Sequence, residues 1–128
     1  YYSGVYDGTS APTQQLLSDG SNSEWNNSGW GSQSVTNPYI QADFRSAKSI
    51  TSITIGPFST WNWTYLNGAA LQYSNDGTNW SNVISSIQAN TSLPTATYST
   101  SISARYVRII YFASNQYLGI STFKFTFA

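Results

Sequence analysis

Tyr39-Ile40-Gln41-Ala42-Asp43-Phe44 alternates apolar and polar side chains without a break. Ile40, Ala42 and Phe44 share one face, and Tyr39, Gln41 and Asp43 the other. A period of two is the mark of a strand with one buried face. A short polar connection, Arg45 to Ser49, follows, and a second strand sets Ile53 and Ile55 against Ser52 and Thr54. Gly56-Pro57 ends it.

The same reading extends outward. A strand near Ala69–Ser74 places Leu71 and Tyr73 on one side. Asn75-Asp76-Gly77 then signals a tight turn, because these residues tolerate positive φ. Trp80 and Val83-Ile84 begin the return. From Arg105, Val107, Ile109 and Tyr111 alternate with Tyr106, Arg108 and Ile110. Both sets are bulky, which predicts a strand buried on both faces or central in a sandwich. Phe123, Phe125 and Phe127 face one way at the end of the chain, Lys124 and Thr126 the other. Many short strands with frequent turns predict a sandwich or barrel.

Composition agrees and narrows the function. The length of 128 residues predicts a single domain, 1–128. Aromatic residues are 16% of the chain, enough apolar area to build a core, so a charged fraction of only 8% does not mean disorder. Cys and His are both absent, which removes disulfides, thiolate metal sites and the commonest general base. Five Lys+Arg balance five Asp+Glu, so there is no basic footprint for nucleic acid. No apolar run is long enough to span a membrane. The chain opens at Tyr1, which reads as an excised module or a processed product, part of a larger multidomain or oligomeric protein.

The connections hold the unusual feature. Ser18–Ser34 is polar yet contains Trp25 and Trp30, and Phe58–Asn67 contains Trp61, Trp63 and Tyr65. Aromatic rings in exposed loops point to binding.

Ser18-Asp19-Gly20, Trp25, Trp30 and the Pro38–Phe44 strand, taken in order, resemble the discoidin (coagulation-factor type C) domain. Leu71–Trp80 is similar to that family's Asp-Gly hairpin, and Ala104–Ile110 to its Ala-Arg-Tyr strand. The resemblance runs from about Leu16 onward. It implies an all-β fold, an antiparallel jelly-roll β-sandwich of the galactose-binding-like type, similar to family 32 carbohydrate-binding modules. It also implies a non-catalytic role in binding sugars, anionic phospholipids or proteins through loops at one end. Trp30 and Trp80 resemble core positions, and Tyr73, Tyr106, Phe44 and the terminal Phe series read as core by periodicity.

The candidate ligand residues are Trp25, Trp61, Asn62, Trp63, Tyr65, Asn115, Gln116 and Tyr117. A flat ring presents its π-face to the C–H groups of a pyranose, and Asn and Gln amides supply directional hydrogen bonds. Because 61, 63 and 65 share a parity, an extended segment would point all three rings the same way, either to ligand or inward as a cap on the sandwich. The resemblance also implies a structural Ca²⁺ at Asp19. The position matching the family's second anionic ligand is Thr122 here, which leaves a plain Asx-turn at Asp19-Gly20 as the other reading.

Three roles follow. The first is a lectin or carbohydrate-binding module for galactose-type glycans or glycoproteins, secreted or surface-exposed. The second is a protein-interaction, adhesion or assembly module. The third is membrane attachment, against which stands the placement of Arg45, Lys48, Arg105, Arg108 and Lys124 in strands or at the far end. An enzyme is not expected. A glycosidase needs two carboxylates across a cleft, and Asp43 and Asp76 fall on a strand and a turn at different ends. Arg105 is expected to pair with Asp43 or another carboxylate.

Overall fold

The computed structural model describes residues 24–25, 30–31, 36–56, 63–89, 96–116, 118–120 and 122–128. Eight strands occur among them: β1 Glu24–Trp25, β2 Trp30–Gly31, β3 Tyr39–Gly56, β4 Ala70–Ser74, β5 Ser81–Ile84, β6 Ala96–Ile110, β7 Gly119–Ile120 and β8 Thr122–Phe127. Six form one hydrogen-bonded sheet in the order β1-β8-β3-β6-β4-β5, and β2 pairs with β7. All pairings are antiparallel.

β3 and β6 are the long strands, and they pair along most of their length, from Tyr39↔Ile110 to Ile55↔Ala96. This ribbon belongs to two layers. Its first half is flanked by β4 and β5, and its second half by β8 and β1. Between the halves β3 bulges: the step from Asp43 to Lys48 lies against the shorter step from Tyr106 to Ala104. Arg45 has φ 68, and its N–H is held by Asp43 Oδ1 at 2.8 Å. Extra residues on one strand bend it and increase its twist. The expected polar connection at Arg45–Ser49 is therefore a bend within a continuous strand.

The bend folds the ribbon over its own apolar face. Ile40, Ala42 and Phe44 from one half of β3 and Ile50, Ile53 and Ile55 from the other are all buried. Phe44 meets Phe125 and Phe127 edge-on, with centroids 4.9 and 5.4 Å away. Leu71, Val107, Ile109, Leu118, Ile120, Phe123 and Phe125 complete one core. Each large side chain so buried stabilises the fold by about 1.5–3 kcal/mol relative to exposure. The result is the antiparallel jelly-roll sandwich.

Two core expectations change. Trp80 is half-buried on the outer face of the sheet. Tyr73 pairs with Ser81 and packs against the core, so the neighbouring position 80 faces outward. Tyr106 is half-buried on the same outer face, its ring centroid 6.4 Å from that of Trp80. β6 is thus central: its inner face is buried through Ala104, Val107 and Ile109, and its outer set is half-buried at Tyr106 and Arg108 and buried only at Ile110. It also begins at Ala96, well before Arg105. The terminal Phe series is core as expected, with Phe127 at its partly buried margin.

Candidate functional site

Two turns meet at the end of the sandwich where β4 begins and β6 ends. Trp63–Tyr65 forms a single 3₁₀ turn. Leu66 then enters the core, and Gly68, at φ 91, reverses the chain and donates its N–H to Ile87 O. Only a residue without Cβ takes that φ at no steric cost. The other turn, Tyr111–Gln116, leaves β6. It is tied to the entry of β3 by Asn37 N–H donating to Ala113 O at 2.8 Å and Tyr111 N–H donating to Pro38 O at 3.1 Å. Asn37 and Asn115 both have φ 53, a left-handed conformation that Asn accepts more readily than most residues.

Tyr111 joins the two turns. Its buried phenol donates toward Thr64 O and Asn67 O. Burial pushes its pKa above the ordinary phenol value. Asn67 Oδ1 accepts the N–H of Ala89 at 3.0 Å, which fixes the turn from its other side. The backbone is pinned from beneath, and the surface above is left to water. There Tyr65 is 36% exposed and Phe112 64% exposed. Thr64 and Asn115 are exposed beside them, and Gln116 is half-buried.

Of the expected residues, the structure brings Tyr65, Asn115 and Gln116 to this pole. The backbone of Trp63 lies there too, in the 3₁₀ turn. Three residues make one turn of such a helix, so Trp63–Tyr65 is not the extended segment on which the expected common direction depended. The backbone of Trp25 pairs opposite Phe123, which lies opposite Ile55 near the same end. Trp61, Asn62, Tyr117 and Asp19 lie outside the described residues. Among the described residues no group of three His, Cys, Asp or Glu side chains could hold a metal ion. Thr122 offers no anionic oxygen for one. Phe112 is the residue that sequence reading missed. Its signal was parity: Tyr111 continues the inward set of Val107 and Ile109, which turns its neighbour outward.

The opposite pole is built differently. Asp76 Oδ1 accepts from Thr78 N–H and Asn79 N–H, both at 2.8 Å, and from Ser74 Oγ at 3.0 Å. Asp76 Oδ2 accepts from Asn79 Nδ2 at 2.7 Å. These donors hold its carboxyl far below the ordinary carboxylate range. Gly77 takes φ 76, the left-handed turn conformation that favours glycine; a Cβ there would make only ordinary contact with the Tyr106 ring, at 3.5 Å. Asn75 Oδ1 accepts Arg105 N–H, and Asn75 Nδ2 donates to Ser103 O. Arg105 grips Asp43 with two bonds, Nε to Oδ1 at 2.9 Å and a terminal nitrogen to Oδ2 at 3.1 Å. That pair, expected from sequence, lowers the pKa of Asp43. Asp43 and the Asp76 turn therefore share one end, joined through Arg105 and Asn75, and are not at different ends. An open cleft of about 340 Å³ lies here, lined by Tyr73, Ser74, Asn75, Asp76, Asn79 and Ser81. Its Asp and Asn75 groups are already committed to the turn.

Comparison with known proteins agrees with this architecture. No curated protein matches the chain. Among solved structures, a fucose binding module of Streptococcus pneumoniae superposes with a TM-score of 0.71 at 10% identity, covering 98% of this chain and 90% of that one. The lectin domain of Lectinolysin, complexed with Lewis B antigen, gives 0.70 at 15% identity, over 100% and 92%. CBM32-3 from a family 31 glycoside hydrolase of Clostridium perfringens gives 0.65 at 17%, over 100% and 88%. At these identities the likeness is one of fold. The sequence profile of the F5/8 type C domain matches residues 2–123. The chain belongs to the F5/8 type C, or discoidin, domain family.

Proposed function

We propose that the chain is a non-catalytic carbohydrate-binding module of lectin type, which takes galactose-type glycans at the pole carrying Tyr65 and Phe112. One observation carries the reading: the Phe112 ring and the partly exposed Tyr65 ring meet water on two fixed turns, one clamped by the buried Tyr111 hydroxyl and the other tied to the entry of β3. Rigid rings of this kind give apolar contact to a sugar face at low entropic cost. The neighbours named as a fucose binding module and a Lewis B-bound lectin domain support a sugar as the ligand class. Trp25, Trp61, Asn62, Trp63, Asn115, Gln116 and Tyr117 complete the proposed site.

The carboxylates Asp43 and Asp76 are held ionised at the other pole, so neither is poised as a proton donor. Arg45, Lys48, Arg105, Arg108 and Lys124 all lie on β3, β6 and β8. A lipid-binding pole would place such cations around its apolar rings. A shallow site of this size binds weakly alone, and repetition within a larger secreted or surface protein would raise its effective strength.

A glycan array tests the reading. The wild type is expected to bind galactose-terminated glycans, and the Tyr65→Ala/Phe112→Ala double variant to lose them while keeping its fold. A wild-type array without signal, in a protein that proves to be an obligate oligomer, would favour an assembly role.

A further inference from the structure

The outer face of the layer containing β4, β6 and the first half of β3 holds a second arrangement. Gln41, Arg108, Gln72 and Asn82 stand opposite one another on β3, β6, β4 and β5, forming one polar row across the sheet. Arg108 Nε donates to Gln72 Oε1 at 2.9 Å, and Gln72 Nε2 donates to Asn82 Oδ1 at 2.9 Å. The guanidinium lies over Trp80, its Cζ 3.9 Å from the ring centroid. Gln72 is itself buried, so the acceptor that orients Arg108 is fixed. Stack, hydrogen bond and strand register together hold the guanidinium in one plane.

Among the described residues its charge is not answered. Arg105 has Asp43, whereas no carboxylate among the described residues forms a salt bridge with Arg108. Burial lowers the pKa of Arg108, and the titratable group acting against that is the phenol of Tyr39. Taking a guanidinium partly out of water without a counter-ion is costly. The Trp80 face and Gln72 offset part of that cost. With Nε engaged, the two terminal nitrogens still present a planar fork of donors, the geometry that matches a carboxylate.

The surroundings select the ligand. Gln41, Gln72, Asn82, Tyr39, Trp80 and Tyr106 are neutral, and Arg105, which lies over the Tyr106 ring, is balanced by Asp43, so Arg108 is the one uncompensated charge among the described residues of this face. Nucleic acid or an anionic membrane would need several. The exposed Asn82 has its Oδ1 engaged, which leaves its Nδ2 donors for a hydroxyl beside the anion. We propose that this row is a second binding site, for a carboxylate-bearing sugar such as a uronic acid residue, with Arg108 taking the carboxylate and Asn82 an adjacent hydroxyl. The site lies on the sheet face and is independent of the rings at the pole.

Titration calorimetry with tri-galacturonate, its methyl ester and acetate tests this. The trimer is expected to bind, the uncharged ester to bind at least roughly tenfold more weakly, and acetate weakest of all. Arg108→Gln should weaken the trimer roughly tenfold or more. Arg108→Lys, which keeps the charge without the fork, should recover only part of that loss. Asn82→Ala, at an exposed position on an edge strand, provides a variant that keeps the fold and should weaken the trimer several-fold. In the Tyr65→Ala/Phe112→Ala background the trimer should still bind and Arg108→Gln should still weaken it roughly tenfold, which separates this site from the ring pole. Absence of trimer binding, equal binding of the ester, or affinity unmoved in a folded Arg108→Gln protein overturns the proposal. Acetate binding as tightly as the trimer overturns the sugar.

Discussion

The two poles of the sandwich use similar residues in opposite ways. At the hairpin pole, Ser74, Asn75, Asp76 and Asn79 turn their side chains onto the neighbouring backbone and one another. At the ring pole, the backbone is held from beneath by Tyr111 and Asn67, and Tyr65 and Phe112 face water. A turn that satisfies itself with its own side chains has little left for a partner. A turn satisfied by side chains from below keeps its upper surface free. The concave surface at the hairpin pole and the exposed rings at the other thus carry different meanings, and the saturation of the hydrogen bonds decides between them.

Both poles rest on one core, and the largest expected effect removes that common support. Phe125 is fully buried and lies against Phe44 and Phe123, with centroids 4.9 and 4.6 Å away. Phe125→Ala is expected to cost about 3–5 kcal/mol in urea unfolding. It should lower protection from hydrogen exchange at both poles together. Loss at one pole alone would show that the layers fold independently.

The second effect separates the poles. Tyr65→Ala/Phe112→Ala should lower stability by no more than about 1 kcal/mol, because Phe112 is mostly exposed and Tyr65 is exposed in part. Glycan affinity should fall at least about tenfold, or ~1.4 kcal/mol. A stability loss equal to the affinity loss would mean that the rings cap the core rather than meet a ligand.

How much of this was visible in the chain follows from which interactions are local. The Asp76-Gly77 hairpin was legible because its bonds close within a few residues. The Asp43–Arg105 pair was legible only as far as Arg105 meeting Asp43 or another carboxylate; the choice between them needed the strand register. The bend at Arg45 was not, because a polar run reads as a loop whether or not a distant strand pairs across it. The first half of β6 was hidden for a related reason. Its outward positions are Thr97, Ser99, Ser101 and Ser103, small hydroxyl residues common in connections, and only Tyr98 and Ile102 mark the inward face. Trp80 was misplaced because an aromatic residue after a turn reads as core unless its parity is referred to Tyr73 across the hairpin. Phe112 was missed because the alternation that turns it outward runs past the end of β6, where a lone ring reads as part of the connection.

The third effect tests the clamp. Tyr111→Phe keeps the ring and removes the donor shared by Thr64 O and Asn67 O. The expected loss is about 1 kcal/mol in stability, with a several-fold weakening of glycan binding as the 63–67 turn loosens. Alkaline titration identifies the cause. The folded pKa of Tyr111 is raised above its ordinary value of 10.0. Its contribution is therefore complete below that pH and is lost as pH rises through the folded value. Stability of the wild type should decline above about pH 10, and Tyr111→Phe should decline less. Parallel curves would assign the loss to some other tyrosine.

The smallest effect belongs to the hairpin pole and runs the other way in pH. The donors around Asp76 favour its ionised form, so its folded pKa lies below the ordinary 3.8. The unfolded chain binds that proton first. The stabilisation is present above the unfolded value and disappears as pH falls toward the folded one. Asp76→Asn keeps a side-chain oxygen for the Thr78 and Asn79 N–H groups but removes the charge that strengthens those bonds. Its melting temperature should lie below that of the wild type at neutral pH, and the gap should narrow below about pH 4. Asp43, also depressed by its Arg105 partner, is present in both proteins and cancels in the difference. Glycan affinity should be the same in both, because the variant lies at the opposite end from the rings. A gap that stays constant with pH would mean that shape alone, and not the carboxylate charge, holds the turn.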